Sequence, residues 1–221
     1  MPLTSTTTTT NIILIRHGET AWNAERRLQG HIDIGLNARG QAQALALGRA
    51  LADTRLDAII ASDLGRAWQT AAAIAEGRAV TVSQDPALRE RCYGGFEGLL
   101  YADIAAAYPA EFAAWQSRDI DALMPAGERQ AESFRSFYQR SISAILGWAA
   151  RCPGATIAIV AHGGVLECAY RAALKLALDT PRDFPVLNAS INHFSVTEGE
   201  LALHRWGEVG HLVPATLDEL T

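Results

Sequence analysis

The chain has 221 residues, of which 49% are hydrophobic, and a formal net charge of −5. This length suits one large domain or a domain with a cap, and the apolar content is sufficient for a sizeable core. The negative charge argues against a general nucleic-acid binder, which normally presents a basic face. It does not exclude an anionic small-molecule substrate, because a local arginine cluster can oppose the global sign.

The cysteine usage and the start of the chain predict a cytoplasmic protein. Cys92, Cys152 and Cys168 are odd in number and unevenly spaced, so we interpret them as free thiols in a reducing compartment. Residues 1–10 lack the basic and apolar regions of a secretory signal, and their threonine run predicts a disordered tail. No apolar run approaches the ~20 residues of a membrane span. We therefore expect neither a membrane nor a nucleic acid among the partners.

The hydrophobic pattern predicts strands and helices that alternate along the chain. The first half contains a strand at 12–15, a turn or short helix at 22–29, a helix from the cap Asn37 to about 53, a strand at 56–61, a helix at 64–76 capped by Ser62 or Asp63, and a strand at 79–82. The second half contains helical fragments at 101–108 and 110–116, a long helix at 130–151, a strand at 156–160, a helix at 165–178, and strands at 189–196 and 201–206. The last two strands can pair as a hairpin. This alternation favours a three-layer α/β/α sandwich with a mostly parallel sheet.

The stretch from about 94 to 127 differs from the rest of the chain in composition. It carries glycines, aromatic residues and Pro109, and its only regular structure is the pair of helical fragments. We interpret it as a small helical cap inserted over a site. Residues 11–221 would then form a single domain.

Polar side chains follow three of the buried strands. The first strand ends in Arg16-His17 and the fourth in His162, each followed by glycine, while the second leads to Arg66. In a parallel sheet these ends lie at one edge, where open α/β sheets bind ligands. A single end of this kind could be a solvated polar tail, but three that converge are hard to attribute to chance.

Two imidazoles and two guanidiniums suit a dianionic group such as phosphate. Each arginine can offer a bidentate fork to phosphate oxygens, and an imidazole nitrogen can attack phosphorus. The leaving oxygen would still need a proton, and a carboxyl group is the usual donor. Glu90 is the best placed by sequence, since it follows the third strand and opens the cap. Glu19 and Glu97 are the competing candidates.

At this point the chain resembles the histidine phosphatase superfamily, which includes the cofactor-dependent phosphoglycerate mutases. Four ordered motifs carry the resemblance, at 16–23 (Arg-His-Gly-Glu-Thr-Ala-Trp-Asn), 62–70, 90–98 and 161–164. It covers essentially residues 11–212. The resemblance implies the phosphoglycerate mutase-like fold, consistent with the sandwich expected from the pattern.

The resemblance also implies roles for individual residues. His17 would be the nucleophile and form a phosphohistidine, and Glu90 would donate a proton and then, in a hydrolase, activate water. The residues that would hold the phosphoryl group or border the substrate are Arg16, Arg66, His162, Asn23, Gln29, Gly30, Tyr93 and Gly163. The family needs no metal, so we expect a metal-independent enzyme without a bound cofactor, acting on a small phosphorylated substrate.

The sequence favours a phosphatase over a mutase. The cap is short, is rich in apolar residues and lacks an adjacent arginine pair for a substrate carboxylate; Arg118 stands alone. Such a cap suits hydrolysis of varied or partly apolar phosphomonoesters. The stretch from 188 to 212 also looks like the phosphatase branch, including ribazole-phosphatase-like and broad-specificity members.

Other readings stay open at this level. Cofactor-dependent phosphoglycerate mutase activity is the first alternative. A catalytically silent regulatory or binding module would be favoured by loss of the arginines or histidines at the strand ends, and none is lost. An unrelated α/β protein with chance matches is the third. The oligomeric state is undetermined, and a homodimer is one option.

Overall fold

The computed structural model describes residues 8–212 and contains one sheet with helices on both faces. Its strands are β1 (Thr9–Arg16), β2 (Ala58–Ala61), β3 (Val82–Gln84), β4 (Thr156–Ala161), β5 (Ile191–Thr197) and β6 (Glu200–Glu208). Its helices are α1 (Ala21–Ala24), α2 (Ala38–Ala50), α3 (Gly65–Ala75), α4 (Tyr101–Ala107), α5 (Pro109–Gln116), α6 (Phe134–Arg151) and α7 (Gly163–Leu174). Short 3-10 turns lie at Pro86–Leu88 and Gly94–Phe96.

The sheet is mostly parallel, as the alternation of elements predicts. The strand order is β3-β2-β4-β1-β5-β6. The first four strands in this order run parallel to one another, whereas β5 is antiparallel to β1 and β6 is antiparallel to β5. The predicted hairpin of the last two strands is therefore confirmed, and it forms one edge of the sheet.

The run of apolar residues in β1 is buried because both faces of the sheet are covered. Ile12 and Leu14 face a cluster with α6 and α7, whereas Ile13 and Ile15 face a cluster with α2 and α3. Alternate residues of a strand point to opposite faces, so a continuous apolar run fills both layers. The three-layer α/β/α architecture is confirmed.

The strand register brings the predicted polar ends together. Arg16 at the end of β1 lies beside Ala161 at the end of β4, and Ala61 of β2 lies beside Val160 of β4. The His17 amide extends the ladder by donating to the Ala161 carbonyl at 3.0 Å. The three strand ends therefore lie side by side at one edge, as the sequence predicts.

The predicted tail at residues 1–10 is wrong at its carboxyl end. Thr9 and Thr10 belong to β1. Thr10 is buried, and its hydroxyl donates to the carbonyls of Ala149 and Cys152 at 3.2 and 3.0 Å. Threonine is a good strand residue, and its hydroxyl is satisfied here by the end of α6. Residues 1–7 lie outside the described part of the chain.

The start of α3 differs from the prediction that Ser62 or Asp63 caps it. The helix begins at Gly65, and the capping position is Leu64, whose side chain has no oxygen to accept a hydrogen bond. The Gly65 amide instead donates to the Asp33 carboxylate at 2.7 Å, from a loop distant in sequence. Asp63 is engaged in a bidentate pair with Arg89. Local spacing could not reveal a cap supplied by tertiary structure.

Other boundaries shift by a few residues. The third strand lies at Val82–Gln84 instead of 79–82, and α6 begins only after Ser133, which caps it by accepting from the Ser136 amide. The helix predicted from 165 to 178 runs instead from Gly163 to Leu174. By contrast, Asn37 caps α2 as predicted, since its side chain accepts from the Gly40 amide at 2.8 Å.

The segment predicted to be a cap carries α4 and α5 and its own apolar cluster. Phe96, Tyr108 and Phe112 pack around Trp115, together with Ile104. Most aromatic side chains of this segment therefore contact one another and do not line a substrate cavity. This weakens the expectation, based on composition, that the cap favours partly apolar esters.

Gly40 of α2 and Gly147 of α6 should respond in opposite ways to alanine. Helix propensity alone favours both changes by up to about 1 kcal/mol. However, a Cβ at Gly40 would lie 2.0 Å from the Glu19 carbonyl oxygen, whereas at Gly147 it would meet only Arg151 Nη2, at 3.8 Å. We expect Gly40→Ala to lower the free energy of unfolding by about 1–3 kcal/mol or more, because backbone must move.

Urea unfolding of both variants at constant m-value measures this difference. Gly147→Ala serves as the matched control and should leave stability unchanged or slightly increased. Equal changes in the free energy of unfolding at the two positions would show that the close contact between Gly40 of α2 and the Glu19 backbone does not limit the size of the side chain.

Candidate active site

A cavity of about 420 Å³ opens at the carboxyl ends of β1 and β4. Nine of the ten predicted site residues line it: Arg16, His17, Asn23, Gln29, Gly30, Arg66, Glu90, Tyr93 and Gly163. The tenth, His162, is fully buried beside His17, with the two ring centroids 5.1 Å apart. The structure thus brings together side chains from β1, α3, the segment after β3 and the start of α7.

His17 is held in an orientation that leaves one ring nitrogen unused. Its Nδ1 lies 2.7 Å from the Gly18 carbonyl oxygen, which can only accept, so we assign the proton to Nδ1. Nε2 then carries the lone pair. The His17 carbonyl accepts from Asn188 Nδ2 at 3.0 Å and from the Ala189 amide at 3.2 Å. These bonds fix the backbone from which the imidazole projects.

Both histidines are kept neutral by their surroundings. Burial, followed by the charges of Arg66 and Arg16, lowers the pKa of His17 well below its ordinary value. Burial and Arg66 do the same for the pKa of His162. A neutral His17 retains the lone pair that a nucleophile needs. The buried ring nitrogens of His162 have no hydrogen-bond partner in the described region, so they can serve an incoming ligand.

Arg16 and Arg66 are buried cations anchored by backbone carbonyls. Arg16 donates to Val186 O at 2.5 Å, and Arg66 donates to Ile32 O and Gly30 O at 3.0 and 2.8 Å. Burial lowers the pKa of each to about 10, so both stay protonated at neutral pH. The buried Nε of each guanidinium finds no partner among residues 8–212. An anion in the cavity would supply the missing acceptors.

Glu90 is the carboxylate that faces this cluster. Its Oε2 accepts from the Gly164 amide at 3.0 Å, and its Oε1 accepts from the Arg91 amide at 2.9 Å. A Cβ at Gly164 would lie 2.2 Å from Oε1, so the second glycine after His162 makes room for this carboxylate. The second glycine of the motif at 161–164 thus has a steric cause.

The two competing acids have other roles in the structure. Glu19 accepts from Asn37 Nδ2 at 2.7 Å, pairs with Arg39 at 3.3 Å and does not line the cavity. Glu97 accepts from the backbone amides of His31 and Tyr93, both at 2.9 Å. Each therefore stabilises loop structure near the site, and Glu90 remains the candidate acid.

The remaining predicted residues shape the wall of the cavity. Asn23 Oδ1 accepts from the Thr20 amide at 3.1 Å, and Gln29 Oε1 accepts from the Thr20 hydroxyl at 3.0 Å. Gly30 has a φ of +54°, and a Cβ there would lie 2.0 Å from Glu97 Oε1, so only glycine fits. Its carbonyl is the acceptor that anchors Arg66.

Comparison with known proteins decides the family. Residues 12–209 match the sequence model of the Histidine phosphatase superfamily (branch 1). The chain belongs to this superfamily. It is 36% identical over 205 residues to a phosphoglycerate mutase-like protein 4 of Arabidopsis thaliana, covering 91% of this chain and 86% of that protein. It is also 36% identical to a metal-independent phosphoserine phosphatase of Arabidopsis thaliana, covering 92% and 83% of the two chains.

A solved structure shows the same histidine phosphatase architecture. YhfR of Bacillus stearothermophilus has a TM-score of 0.84 and 34% identity, covering 91% of this chain and 98% of YhfR. Across residues 8–212 no helix is long and apolar enough to cross a membrane. The same residues contain no group of three or more histidine, cysteine or acidic side chains arranged to hold a metal ion.

Several residues at this histidine phosphatase site were not predicted. Asn188 holds the His17 backbone, and Arg26, Arg182 and Glu167 line the cavity. Asn188 opens the carboxyl-terminal stretch that resembles the phosphatase branch, so its position carried a usable signal. The other three depend on how loops and α7 pack, for which no sequence spacing gave a signal. Arg118, the cap arginine, pairs with Glu167 at 2.5 Å and does not line this cavity.

Acid should destabilise this histidine phosphatase domain below the ordinary histidine pKa of about 6.5. The pKa values of His17 and His162 are lowered in the folded state, so only the unfolded chain takes up these protons as the pH falls. Each histidine then costs about 1.4 kcal/mol of stability per pH unit below that value. Above a pH of about 6.5 the two histidines no longer lower the free energy of unfolding, because they are then neutral in the unfolded chain as well.

Urea unfolding at pH 7.5, 6.5 and 5.5 measures this dependence. His162→Asn should show a shallower loss of stability with falling pH than the wild-type chain. Gln41→Asn, at an exposed position of α2, is the control and should keep the wild-type slope, because it removes no titratable group. Identical slopes in all three chains would contradict a buried, neutral His162.

Proposed function

We propose that this protein hydrolyses small phosphomonoesters through a phosphohistidine on His17. One observation carries the proposal. The His17 imidazole has a free Nε2 and lies among two buried arginines and a buried histidine. The Nε atoms of Arg16 and Arg66 and both ring nitrogens of His162 have no hydrogen-bond partner in the described chain. Buried polar groups left in this state cost about 1–3 kcal/mol each, and a phosphate group would satisfy them together.

In the first step, His17 Nε2 attacks phosphorus and the ester P–O bond breaks. Arg16, Arg66 and His162 bind the non-bridging oxygens, whose charge they stabilise in the transition state. The acid form of Glu90 donates its proton to the leaving oxygen, and the alcohol departs. Asn23, Gln29, Gly30, Tyr93 and Gly163 border the substrate in this scheme.

In the second step, water attacks the phosphohistidine. Glu90, now a carboxylate, takes a proton from this water while the N–P bond breaks. Inorganic phosphate leaves, His17 regains its lone pair and Glu90 is again protonated. The scheme requires no metal or bound cofactor, because the arginines supply the positive charge and Glu90 supplies the proton.

Hydrolysis is favoured over a mutase reaction by the cap. The glycolytic mutases bind the sugar acid through adjacent arginines of a longer cap, whereas the cap arginine of this chain, Arg118, is bound to Glu167. The relatives carry both kinds of name, so phosphoglycerate mutase activity is the second candidate.

As part of the same proposal, the free thiols of Cys92, Cys152 and Cys168 support a cytoplasmic location.

His17→Ala should abolish turnover. We expect kcat for p-nitrophenyl phosphate to fall by roughly a thousandfold or more, because the variant lacks the side chain that accepts the phosphoryl group. The assay is run with EDTA, and wild-type chain quenched in denaturant should carry an acid-labile phosphate that the variant lacks. His204→Ala is the matched control. Activity retained in His17→Ala with an unchanged circular dichroism spectrum would contradict the mechanism.

Glu90→Gln should affect poor leaving groups more than good ones. Glutamine cannot donate the missing proton, and general acid catalysis contributes about 10²–10⁴-fold where the leaving oxygen needs it. We therefore expect a large loss of kcat/KM with an alkyl phosphate such as glycerol 3-phosphate and a smaller loss with p-nitrophenyl phosphate. Equal losses for the two esters would remove Glu90 as the acid.

A further inference from the structure

Two arginines on the cavity wall have no role in the phosphoryl chemistry. Arg26 follows α1, and Arg182 lies between α7 and β5, so they come from separate loops. Both line the cavity that contains Arg16 and Arg66. They are exposed residues, with 43% of the Arg182 side chain accessible, whereas Arg16 and Arg66 are 8% and 1% accessible. The inner pair thus lies at the floor and the outer pair at the mouth.

Arg26 is held in a conformation that disfavours ordinary residues. Its φ is +56°, in the left-handed region, which costs about 1–2 kcal/mol for a residue with a Cβ. Its carbonyl accepts from the Tyr101 amide at 3.3 Å. Within residues 8–212 its guanidinium makes no hydrogen bond or ion pair, unlike that of Arg27, which donates to Glu25 and to Gly98 O. Strained backbone of this kind is concentrated at ligand sites.

Arg182 is only partly neutralised by its acidic neighbour. Its Nη1 lies 3.6 Å from Glu167 Oε2. The same carboxylate already binds Arg118 at 2.5 Å and the buried Arg171 at 3.0 Å. One acid shared by three guanidiniums leaves excess positive charge at the mouth. After burial and Glu90, Arg182 is the next influence on the pKa of Arg16, which it lowers, so its field reaches the floor of the cavity.

The charge of the whole cavity exceeds what a phosphate needs. Five arginines and two glutamates line it: Arg16, Arg26, Arg27, Arg66, Arg182, Glu90 and Glu167. With both acids ionised, their formal sum is +3. A phosphate dianion balances only two of these charges, and a protonated Glu90 would increase the excess. Arg27 is paired with Glu25, and Arg16 and Arg66 lie at the floor, so the arginines left for a further anion are Arg26 and Arg182.

We propose that Arg26 and Arg182 form a subsite for a carboxylate on the part of the substrate that leaves with the ester oxygen. This inference rests on the proposed function and narrows its substrates to phosphate monoesters of small hydroxy or amino acids. Guanidinium forks match a planar carboxylate, and the two arginines would bind it from separate loops. The subsite replaces the arginine pair that the cap lacks.

The test uses substrate pairs with and without the carboxylate. O-phosphoserine and O-phosphoethanolamine differ only in this group. In the second pair, 3-phosphoglycerate carries a carboxylate where glycerol 3-phosphate carries a hydroxymethyl group. Hydrogen bonds to charged groups predict a wild-type preference of about tenfold or more in kcat/KM for the carboxylate member. Arg26→Gln and Arg182→Gln should each reduce that ratio severalfold. Arg182→Lys, which keeps the charge but loses the fork, should reduce it as well.

Arg49→Gln is the control, since it removes one positive charge from an exposed position on α2 away from the cavity. It should keep the wild-type ratio when all assays share one ionic strength. A wild-type ratio near one, or arginine variants that slow both members of a pair equally, would overturn the subsite.

A binding measurement separates this inference from the proposed function. Titration calorimetry with the His17→Ala chain gives the Kd of O-phosphoserine and of O-phosphoethanolamine without turnover. A Kd for O-phosphoserine that is about tenfold lower than that for O-phosphoethanolamine supports the subsite if Arg182→Gln abolishes the difference. This holds even if the wild-type chain hydrolyses neither ester, and in that case only the proposed function fails. Equal Kd values would overturn the subsite regardless of activity.

Discussion

The burial of four basic side chains at one sheet edge is the constraint on which the rest of the structure depends. Arg16, His17, Arg66 and His162 are nearly inaccessible to solvent, although arginines are rarely buried without partners. Removal from water keeps the imidazoles neutral and leaves guanidinium nitrogens unsatisfied. The same burial that lowers stability therefore prepares the site for a phosphoryl group, because the protein dipoles and charges are already oriented before the substrate arrives.

The surrounding structure supplies the backbone that this burial requires. Carbonyls of Gly30, Ile32 and Val186 anchor the guanidiniums, and the Gly164 amide anchors the Glu90 carboxylate. Gly164 and Gly30 stand where a Cβ would displace the carboxylates of Glu90 and Glu97. The glycines of the motifs are thus as much a part of the site as the charged residues, because they let backbone and carboxylates approach closely.

The cavity combines two regions of different character. Its floor is formed from strand ends and helix starts of the sandwich. Its mouth is formed from loops and from the start of α4, where Glu167 connects Arg118, Arg171 and Arg182 across three segments. Loops vary more readily than strands, so the mouth is the natural place for substrate preference to be set.

The sequence by itself determined the fold class, the order of strands and helices and the residues of the floor. Those features follow from local signals: apolar runs, helix spacing, and polar motifs placed directly at strand ends. The boundaries of strands and helices were predicted less accurately, as the start of β1 and the start of α3 show. Groups distant in sequence, such as the Asp33 carboxylate at the start of α3, supply the hydrogen bonds at these boundaries. The sequence favoured Glu90 over Glu19 and Glu97 as the acid, and the tertiary structure shows that Glu90 is the one of the three that lines the cavity. The tertiary structure alone decided that the cap aromatics pack together and that Arg26 and Arg182 line one cavity, since residues from separate loops reach the same cavity only when the chain packs.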